Sequence, residues 1–88
     1  MNLKINNYDF ILRYPYNPEI YDILFNDKII AYTNTRWGQL NVFKYNSNDI
    51  IFSINFNDEY VGSIPDDMKE DIFESITNKL EEINLKNN

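Results

Sequence analysis

The sequence predicts an α+β fold, in which a single small antiparallel sheet of about five strands is covered on one face by one C-terminal amphipathic helix. Two observations support this prediction. Residues 1–57 contain short segments in which apolar and polar side chains alternate, which is the period of a strand with one buried face. Residues 64–86 instead repeat their apolar side chains at helical spacing. Short connections between the strand segments favour a meander, whose apolar face then needs the helix as a cover.

Residues 1–88 are expected to form a single domain, because a chain of this length supports one hydrophobic core. The chain is 43% hydrophobic and 16% aromatic, which is enough for it to fold unaided. It contains no cysteine, so disulfides and thiolate metal sites are excluded. No apolar run reaches the length of a signal-peptide core or of a membrane span, so we expect a cytoplasmic protein without a membrane partner.

The first strong strand pattern covers residues 8–14, where alternate side chains are apolar. A shorter alternation at residues 3–5 precedes it, and the turn-forming pair Asn6-Asn7 lets this segment either pair beside the strand or run into it. Pro15 and Pro18 then interrupt regular structure, because proline has no N–H for a sheet ladder. The remaining strands are predicted at residues 20–25, 28–33, 40–45 and 50–57.

Two connections between these strands are predicted hairpin turns. Asn26 and Asp27 separate the first pair, and both residue types tolerate left-handed backbone, so a tight turn is expected. Residues 34–39 form the second connection, where Gly38 supplies a positive φ. The last strand has apolar residues at its even positions and, from Ser53 onward, polar residues at its odd positions, so one side faces the core and the other faces water.

The helix is predicted from about Pro65 to Leu85. Proline suits a first helical turn because its missing N–H would have no partner there, and Ser63 or Ile64 would then be the N-cap. The apolar stripe expected to pack on the sheet comprises Met68, Ile72, Phe73, Ile76, Leu80 and Ile83.

The residue types that carry most enzyme chemistry are missing. The chain has no histidine and no cysteine, which removes the usual general base, the commonest metal ligand and the strongest nucleophile. A Ser–Lys pair remains as an alternative, but Ser53 in a strand and Ser63 near a cap have ordinary structural explanations. Residues 46–59 lack the ligand spacing and turn glycine of a calcium loop, and the two glycines are isolated. We therefore expect no catalytic activity, no cofactor and no metal ion.

The charge is unevenly distributed along the chain. Residues 1–57 carry five acidic and five basic side chains, whereas residues 58–88 carry nine acidic side chains and three lysines. The net charge of −6 therefore belongs entirely to the last third of the chain. Because phosphate binding needs a basic footprint, this distribution argues against nucleic acid as a direct partner.

The acidic residues of the last third are candidates for a binding surface. Asp66/Glu70, Asp67/Asp71 and Glu70/Glu74 are like-charge pairs at helical i, i+4 spacing, each of which costs a helix roughly 0.2 to 0.5 kcal/mol. The dipole at the helix start offsets part of this cost. The candidate acidic surface comprises Asp58, Glu59, Asp66, Asp67, Glu70, Asp71 and Glu74. The alternative is that these side chains only keep the protein soluble.

Most of the Phe and Tyr residues fit the strand period and are expected in the core, but three aromatic residues lie at a predicted loop or turn, where a large ring is not necessarily buried. Tyr14 and Tyr16 flank Pro15, and Trp37 follows Arg36 in a predicted turn. Trp, Tyr and Arg dominate the binding energy of protein interfaces, so these positions are candidate contact residues. The alternative for Trp37 is that it folds back and closes one end of the sheet.

These features favour a small acidic protein that binds another protein. The expected partner is a basic nuclease or nucleic-acid-binding effector, which the protein would inhibit as a phage anti-defence protein of the anti-CRISPR kind or an immunity protein would. A self-associating structural module that uses an exposed strand edge, with a homodimer as its simplest form, is a second hypothesis. A binder of a neutral or cationic small ligand, with Tyr14, Tyr16, Tyr21 and Trp37 around a pocket, is a third.

Overall fold

The computed structural model describes residues 2–83 and has one six-stranded antiparallel sheet followed by one helix. The strands are β1 (Asn2–Ile5), β2 (Tyr8–Pro15), β3 (Glu19–Phe25), β4 (Lys28–Arg36), β5 (Gln39–Lys44) and β6 (Ile50–Asn55). They lie in the sheet in chain order, so the predicted meander and the predicted α+β fold are confirmed. A 3₁₀ turn (Asp66–Met68) leads directly into the helix α1 (Lys69–Ile83).

The sheet has one strand more than the predicted five, because residues 2–5 form a strand of their own. Ile5 pairs with Tyr8, so Asn6 and Asn7 make a two-residue hairpin turn between β1 and β2. Asn6 has a φ of 55°, a left-handed conformation that asparagine adopts more readily than most residues. This segment therefore pairs beside β2 and does not run into it.

The two predicted hairpins are present, but the second connection is shorter than expected. Asn26 and Asp27 join β3 to β4 with φ values of 51° and 64°. The strand β4 continues as far as Arg36, so only Trp37 and Gly38 separate it from β5, again with positive φ values of 56° and 75°. Two successive positive φ values are typical of a type I′ turn, one of the two-residue turns whose twist matches that of the flanking strands.

The helix α1 covers one face of the sheet and forms the core with it. Phe73 stacks on Phe10 at a ring-centroid distance of 4.3 Å and meets the edge of Tyr21 at 4.8 Å. Ile76 and Leu80 are fully buried farther along the helix. The buried apolar residues are Tyr8, Phe10, Tyr21, Ile23, Ile30, Ala31, Leu40, Val42, Ile64, Ile72, Phe73, Ile76 and Leu80.

The predicted helix differs from the observed one at its start and in two members of its stripe. Pro65 is the N-cap of the 3₁₀ turn, with φ −55° and ψ 137°, so the predictions of Ser63 or Ile64 as the cap and of Pro65 inside the first turn were wrong. Met68, in the 3₁₀ turn, and Ile83, in the last turn of α1, are 39% and 36% exposed and do not belong to the buried stripe. The predicted residues 84–86 lie outside the described part of the chain.

The helix α1 covers the β1–β3 side of the sheet more completely than the β6 edge. The helix begins beside the first residue of β3, where Lys69 meets Glu19, and it extends to the β1–β2 hairpin, where Glu81 lies near Tyr8. At the far edge of the same face, Phe52 and Ile54 of β6 and Phe56, which follows it, are only partly buried. No element among residues 2–83 packs over the opposite face, which we call the open face.

Candidate functional site

Most of the residues singled out from the sequence converge on one end of the sheet. In a meander, β2, β4 and β6 end where β3 and β5 begin, so residues 14–19, 36–39 and 55–65 all lie at the same end. The helix also starts there, because Lys69 contacts Glu19 at the start of β3. We call this region the aromatic end, after its exposed side chains Tyr14, Tyr16, Trp37 and Tyr60.

Backbone hydrogen bonds hold the long connection between β6 and the helix across this end. The Gly38 N–H donates to the Val61 carbonyl at 2.8 Å, and the Phe56 N–H donates to the Gly38 carbonyl at 2.8 Å. The Gly62 carbonyl accepts from Asn17 at 2.9 Å and from Glu19 at 3.1 Å. The β4–β5 turn, the segment between β2 and β3, and the β6–helix connection are therefore one hydrogen-bonded unit.

Trp37 is exposed although it lies in this hydrogen-bonded unit. Its side chain is 68% exposed, so the alternative in which the ring folds back and closes the sheet end is wrong. Its φ of 56° is a conformation that bulky residues rarely adopt, whereas Asn and Gly adopt it readily. The guanidinium of Arg36 lies 5.2 Å from the centroid of the indole ring, which is cation–π contact distance.

Gly38 fixes the position of the turn that carries Trp37. A Cβ atom at this position would lie 2.2 Å from the Asp58 carbonyl oxygen and 3.0 Å from Glu59 Cα, so only glycine allows the β6–helix connection to pass this close. Asp58 in turn caps its own loop, because its carboxylate accepts from the Tyr60 N–H at 3.0 Å. The positive φ predicted for Gly38 from the sequence is confirmed at 75°.

The other candidate aromatic residues also point into solvent. Tyr14 is 57% exposed and Tyr16 is 62% exposed. Tyr60, which was not predicted as a contact residue, is 82% exposed in the β6–helix connection. The sequence does indicate that Tyr60 is exposed, since this residue lies between Glu59 and Val61 in a stretch without strand or helix periodicity.

All seven candidate acidic residues are exposed. Asp58 and Glu59 lie in the β6–helix connection, and the other five lie on the 3₁₀ turn and on the outer side of α1. Because Asp66 and Asp67 belong to the 3₁₀ turn, Glu70/Glu74 is the one candidate pair with both members inside α1. Asp66 also lies 3.5 Å from the Lys69 ammonium, which offsets part of its charge. From the aromatic end, the acidic surface continues through Asp67 in the 3₁₀ turn and along the helix through Glu70, Asp71 and Glu74.

A buried ion pair at the aromatic end was not predicted from the sequence. Lys69 Nζ lies 3.2 Å from Glu19 Oε2, with side chains 11% and 3% exposed. Glu19 Oε1 accepts the Ile64 N–H at 2.8 Å, so one carboxylate binds both the helix start and the segment before it. The sequence does indicate that Lys69 is buried, because Lys69 falls on the same helical stripe as Ile72, Phe73 and Ile76 and is not on the outer side of the helix.

The environment of this pair changes the protonation of its neighbours. Burial raises the pKa of Tyr21, the Lys69 ammonium 5.6 Å from its ring lowers it, the Glu19 carboxylate raises it, and the net direction is upward. For Lys69, burial lowers the pKa, but the neighbouring Tyr21 hydroxyl and Glu19 carboxylate raise it more, and the net direction is upward. The ammonium form of Lys69 is thus favoured inside the fold.

The hypothetical ligand pocket does not form with the residues proposed for it. Tyr21 is fully buried in the core under α1, whereas Tyr14, Tyr16 and Trp37 are exposed at the aromatic end. An open depression of about 560 Å³ lies instead on the open face. Its polar wall is an ion pair between Arg13 and Asp22 at 2.9 Å, with the guanidinium 5.8 Å from the Tyr32 ring centroid.

Residues 2–83 show no group of three or more acidic side chains arranged to hold a metal ion. Within the same residues, α1 is too short and too polar to cross a bilayer. Comparison with protein-family models, curated proteins and solved structures gives no match for this chain.

Proposed function

We propose that this protein is a small non-enzymatic inhibitor that binds a basic, nucleic-acid-handling protein through the aromatic end and the adjoining acidic surface. The partner would be a nuclease or a nucleic-acid-binding effector, and the protein would act as a phage anti-defence or immunity protein does. It would block the path of the phosphate backbone with its carboxylates. Association would be fast and sensitive to salt, because complementary charge steers the encounter.

The conformation of Trp37 is the observation that carries this proposal. A large ring that is 68% exposed gains little from folding, and its backbone lies in the left-handed region, which costs a bulky residue free energy. A turn selected for stability would have Asn or Asp before Gly38. Tryptophan, tyrosine and arginine are the residues most enriched in interface hot spots, and Arg36, Tyr14, Tyr16 and Tyr60 lie at the same end.

The charge pattern supports the choice of a basic partner. The sheet segments are neutral in sum, and the net charge of −6 comes from the last third of the chain. The exposed carboxylates on the outer side of α1 adjoin the aromatic end, so an apolar anchor and a negative field occupy one surface. Proteins with a large basic patch mostly use it to bind phosphates, which makes nucleic-acid-handling proteins the favoured class.

Two variants of equal charge test the role of the acidic surface. The site variant replaces Asp67, Glu70 and Asp71 by Lys. The control variant replaces three exposed acidic residues by Lys, and these residues lie away from the aromatic end: Asp27, Asp49 and Glu82. Each reversal adds two charges, so both variants change the net charge from −6 to zero. A difference between them reports position and not total charge.

Affinity capture from a bacterial host lysate is performed with wild type and both variants at about 0.01 M and about 0.15 M salt, where the screening length falls from about 30 Å to about 8 Å. We expect wild type and the control variant to retain one basic nucleic-acid-handling protein, more strongly at low salt, and to inhibit it after purification. The site variant and Trp37→Ala should lose both capture and inhibition. Retention of the same partner by the site variant, or an acidic partner, would contradict the proposal.

A further inference from the structure

The outer edge of β6 differs from the outer edge of β1 in ways that affect its availability for pairing. Within residues 2–83, each of these strands is hydrogen-bonded to one neighbour, so each leaves one row of backbone donors and acceptors free of the sheet ladder. The strand β1 has four residues and includes Lys4, and natural proteins use short, charged strands to prevent edge pairing. The strand β6 has six residues, Ile-Ile-Phe-Ser-Ile-Asn, with no charge and no proline.

The apolar side chains of β6 are only partly buried. Phe52 and Ile54 pair with Val42 and Leu40, which are fully buried on the face that α1 covers. Both residues nevertheless retain exposed area, because the helix lies over the opposite half of the sheet. The core is therefore incomplete along the β6 edge.

The order of residues in β6 makes this edge self-complementary. The regular part runs from Phe52 to Asn55, beyond the irregular register at Ile51. When two copies of this segment pair antiparallel about a two-fold axis at Ser53, each Phe52 lies opposite the Ile54 of the other copy. All four apolar side chains then lie on the helix side, and the two Ser53 hydroxyls meet on the open face.

We propose that two copies of this chain associate through their β6 strands, with the two-fold axis at Ser53, to form one continuous twelve-stranded antiparallel sheet. This dimer goes beyond the proposed function, since it uses an edge of the sheet and neither the acidic surface nor the exposed aromatic side chains. A second copy is the favoured occupant because the strip between Ile50 and Asn55 is uncharged. A chain of net charge −6 can approach another copy closely along such a strip without placing like charges in contact.

The size and charge of the interface determine how the dimer should behave. Pairing of one short strand falls in the lowest class of interface areas, so we expect a dissociation constant in the micromolar to millimolar range. Salt screens the repulsion between two acidic copies, so the dimer should tighten or remain unchanged as salt rises. Binding to a basic partner should weaken under the same change, which separates this inference from the proposed function.

The first test is sedimentation equilibrium across this concentration range for wild type, Ser53→Lys and Asn2→Lys. Both positions are exposed on an edge strand, and each substitution removes one side-chain hydrogen bond, from Ser53 to Asn41 or from the Leu12 N–H to Asn2. Ser53→Lys places two ammonium groups opposite each other across the axis. We expect it to raise the dissociation constant at least tenfold, whereas Asn2→Lys should match wild type.

The second test locates the axis by disulfide formation, which is straightforward because the chain has no native cysteine. Directly opposite residues of an antiparallel pair have Cα atoms about 4.5 to 5.5 Å apart, within the range of a disulfide. Ser53→Cys should therefore form a covalent dimer under mild oxidation. In Asn55→Cys the two thiols are separated by four strand positions, about 13 Å, and cross-linking should be no faster than in Asn2→Cys.

A wild type that stays monomeric throughout the concentration range would overturn the inference. The same holds for a dimer that Ser53→Lys does not weaken, or for Asn55→Cys cross-linking as fast as Ser53→Cys. Circular dichroism verifies that each variant is folded. If Ser53→Lys does not fold, the cross-linking of the cysteine variants tests the dimer by itself.

Discussion

The ammonium of Lys69 lies 3.2 Å from one carboxylate oxygen of Glu19, and the other oxygen of that carboxylate accepts the Ile64 N–H at 2.8 Å. This relationship joins the first residue of β3 to the first residue of α1 and to the segment before it. It fixes where the acidic helix starts relative to the aromatic end. Both side chains are almost fully buried, so removal of one partner has a larger effect than loss of an exposed ion pair.

Replacing Lys69 by Met should destabilise the fold by about 3 to 5 kcal/mol, because it leaves the Glu19 carboxylate buried without its counter-charge. The double variant Lys69→Met with Glu19→Gln should recover most of this loss, since Gln can still accept the Ile64 N–H and no charge remains. Urea unfolding of the single and double variants measures the coupling. Equal stability of Lys69→Met and wild type would mean that the pair contributes nothing to the fold.

Replacing Trp37 by Asn should leave the free energy of unfolding unchanged or raise it by up to about 1 kcal/mol. Relief of the left-handed strain is worth about 1 to 2 kcal/mol, which exceeds the roughly 0.5 to 1 kcal/mol of an exposed cation–π contact with Arg36. Trp37→Ala keeps the strained backbone and should be no more stable than wild type. A loss of the ~3 to 5 kcal/mol typical of a core aromatic in either variant would show that the ring packs in the core.

Replacing Ile76 by Asp should unfold the domain. Ile76 is fully buried, and an unpaired charge at this position costs a large part of the about 5 to 15 kcal/mol that stabilises a domain. Met68→Asp is the matched control, because Met68 is 39% exposed. We expect cooperative thermal unfolding near the wild-type temperature for Met68→Asp and no transition for Ile76→Asp. An unchanged melting temperature for Ile76→Asp would contradict the packing of α1.

The protein should lose stability in alkali between pH 10 and 12. Burial, followed by the nearby Glu81 carboxylate, raises the pKa of Tyr8 from 10.0 to about 12, so the unfolded chain releases this proton at lower pH than the folded one. A rise in pH through this window therefore lowers the free energy of unfolding, by an amount on the order of 2 to 3 kcal/mol for a shift of this size. Below the window Tyr8 is protonated in both states and does not make the stability depend on pH. The raised pKa values of Tyr21 and Lys69 act in the same direction.

Urea unfolding at a series of pH values tests this dependence. Tyr8→Phe removes the ionisable group and should lose less stability across the window than wild type. Tyr60→Phe serves as the control, because Tyr60 is 82% exposed, and its pH profile should follow wild type. Identical profiles for Tyr8→Phe and wild type would exclude Tyr8 as a source of the effect.

The strand period of β2 to β6 and the helical period of α1 made most of the fold predictable, since each period follows from which side of one element is apolar. The cap at Pro65 and the extra strand β1 were not predictable with the same certainty. Both depend on one or two backbone angles, and several residue types are compatible with either outcome. The burial of Lys69 was not predicted for another reason. A lysine in an acidic segment normally lies on the exposed side of a helix.

The sequence by itself determined the α+β class, the position of the helix and the placement of the whole net charge in the last third of the chain, because these depend on local composition and periodicity. Only the tertiary structure decided that the β4–β5 turn, the segment between β2 and β3, and the β6–helix connection form one hydrogen-bonded end, and that Trp37 is exposed there in a left-handed conformation. It also decided that Glu19 and Lys69, fifty positions apart, form a buried pair. Such contacts depend on the register of strands distant in sequence and on how a loop passes over a turn, which the pattern within any one segment does not encode.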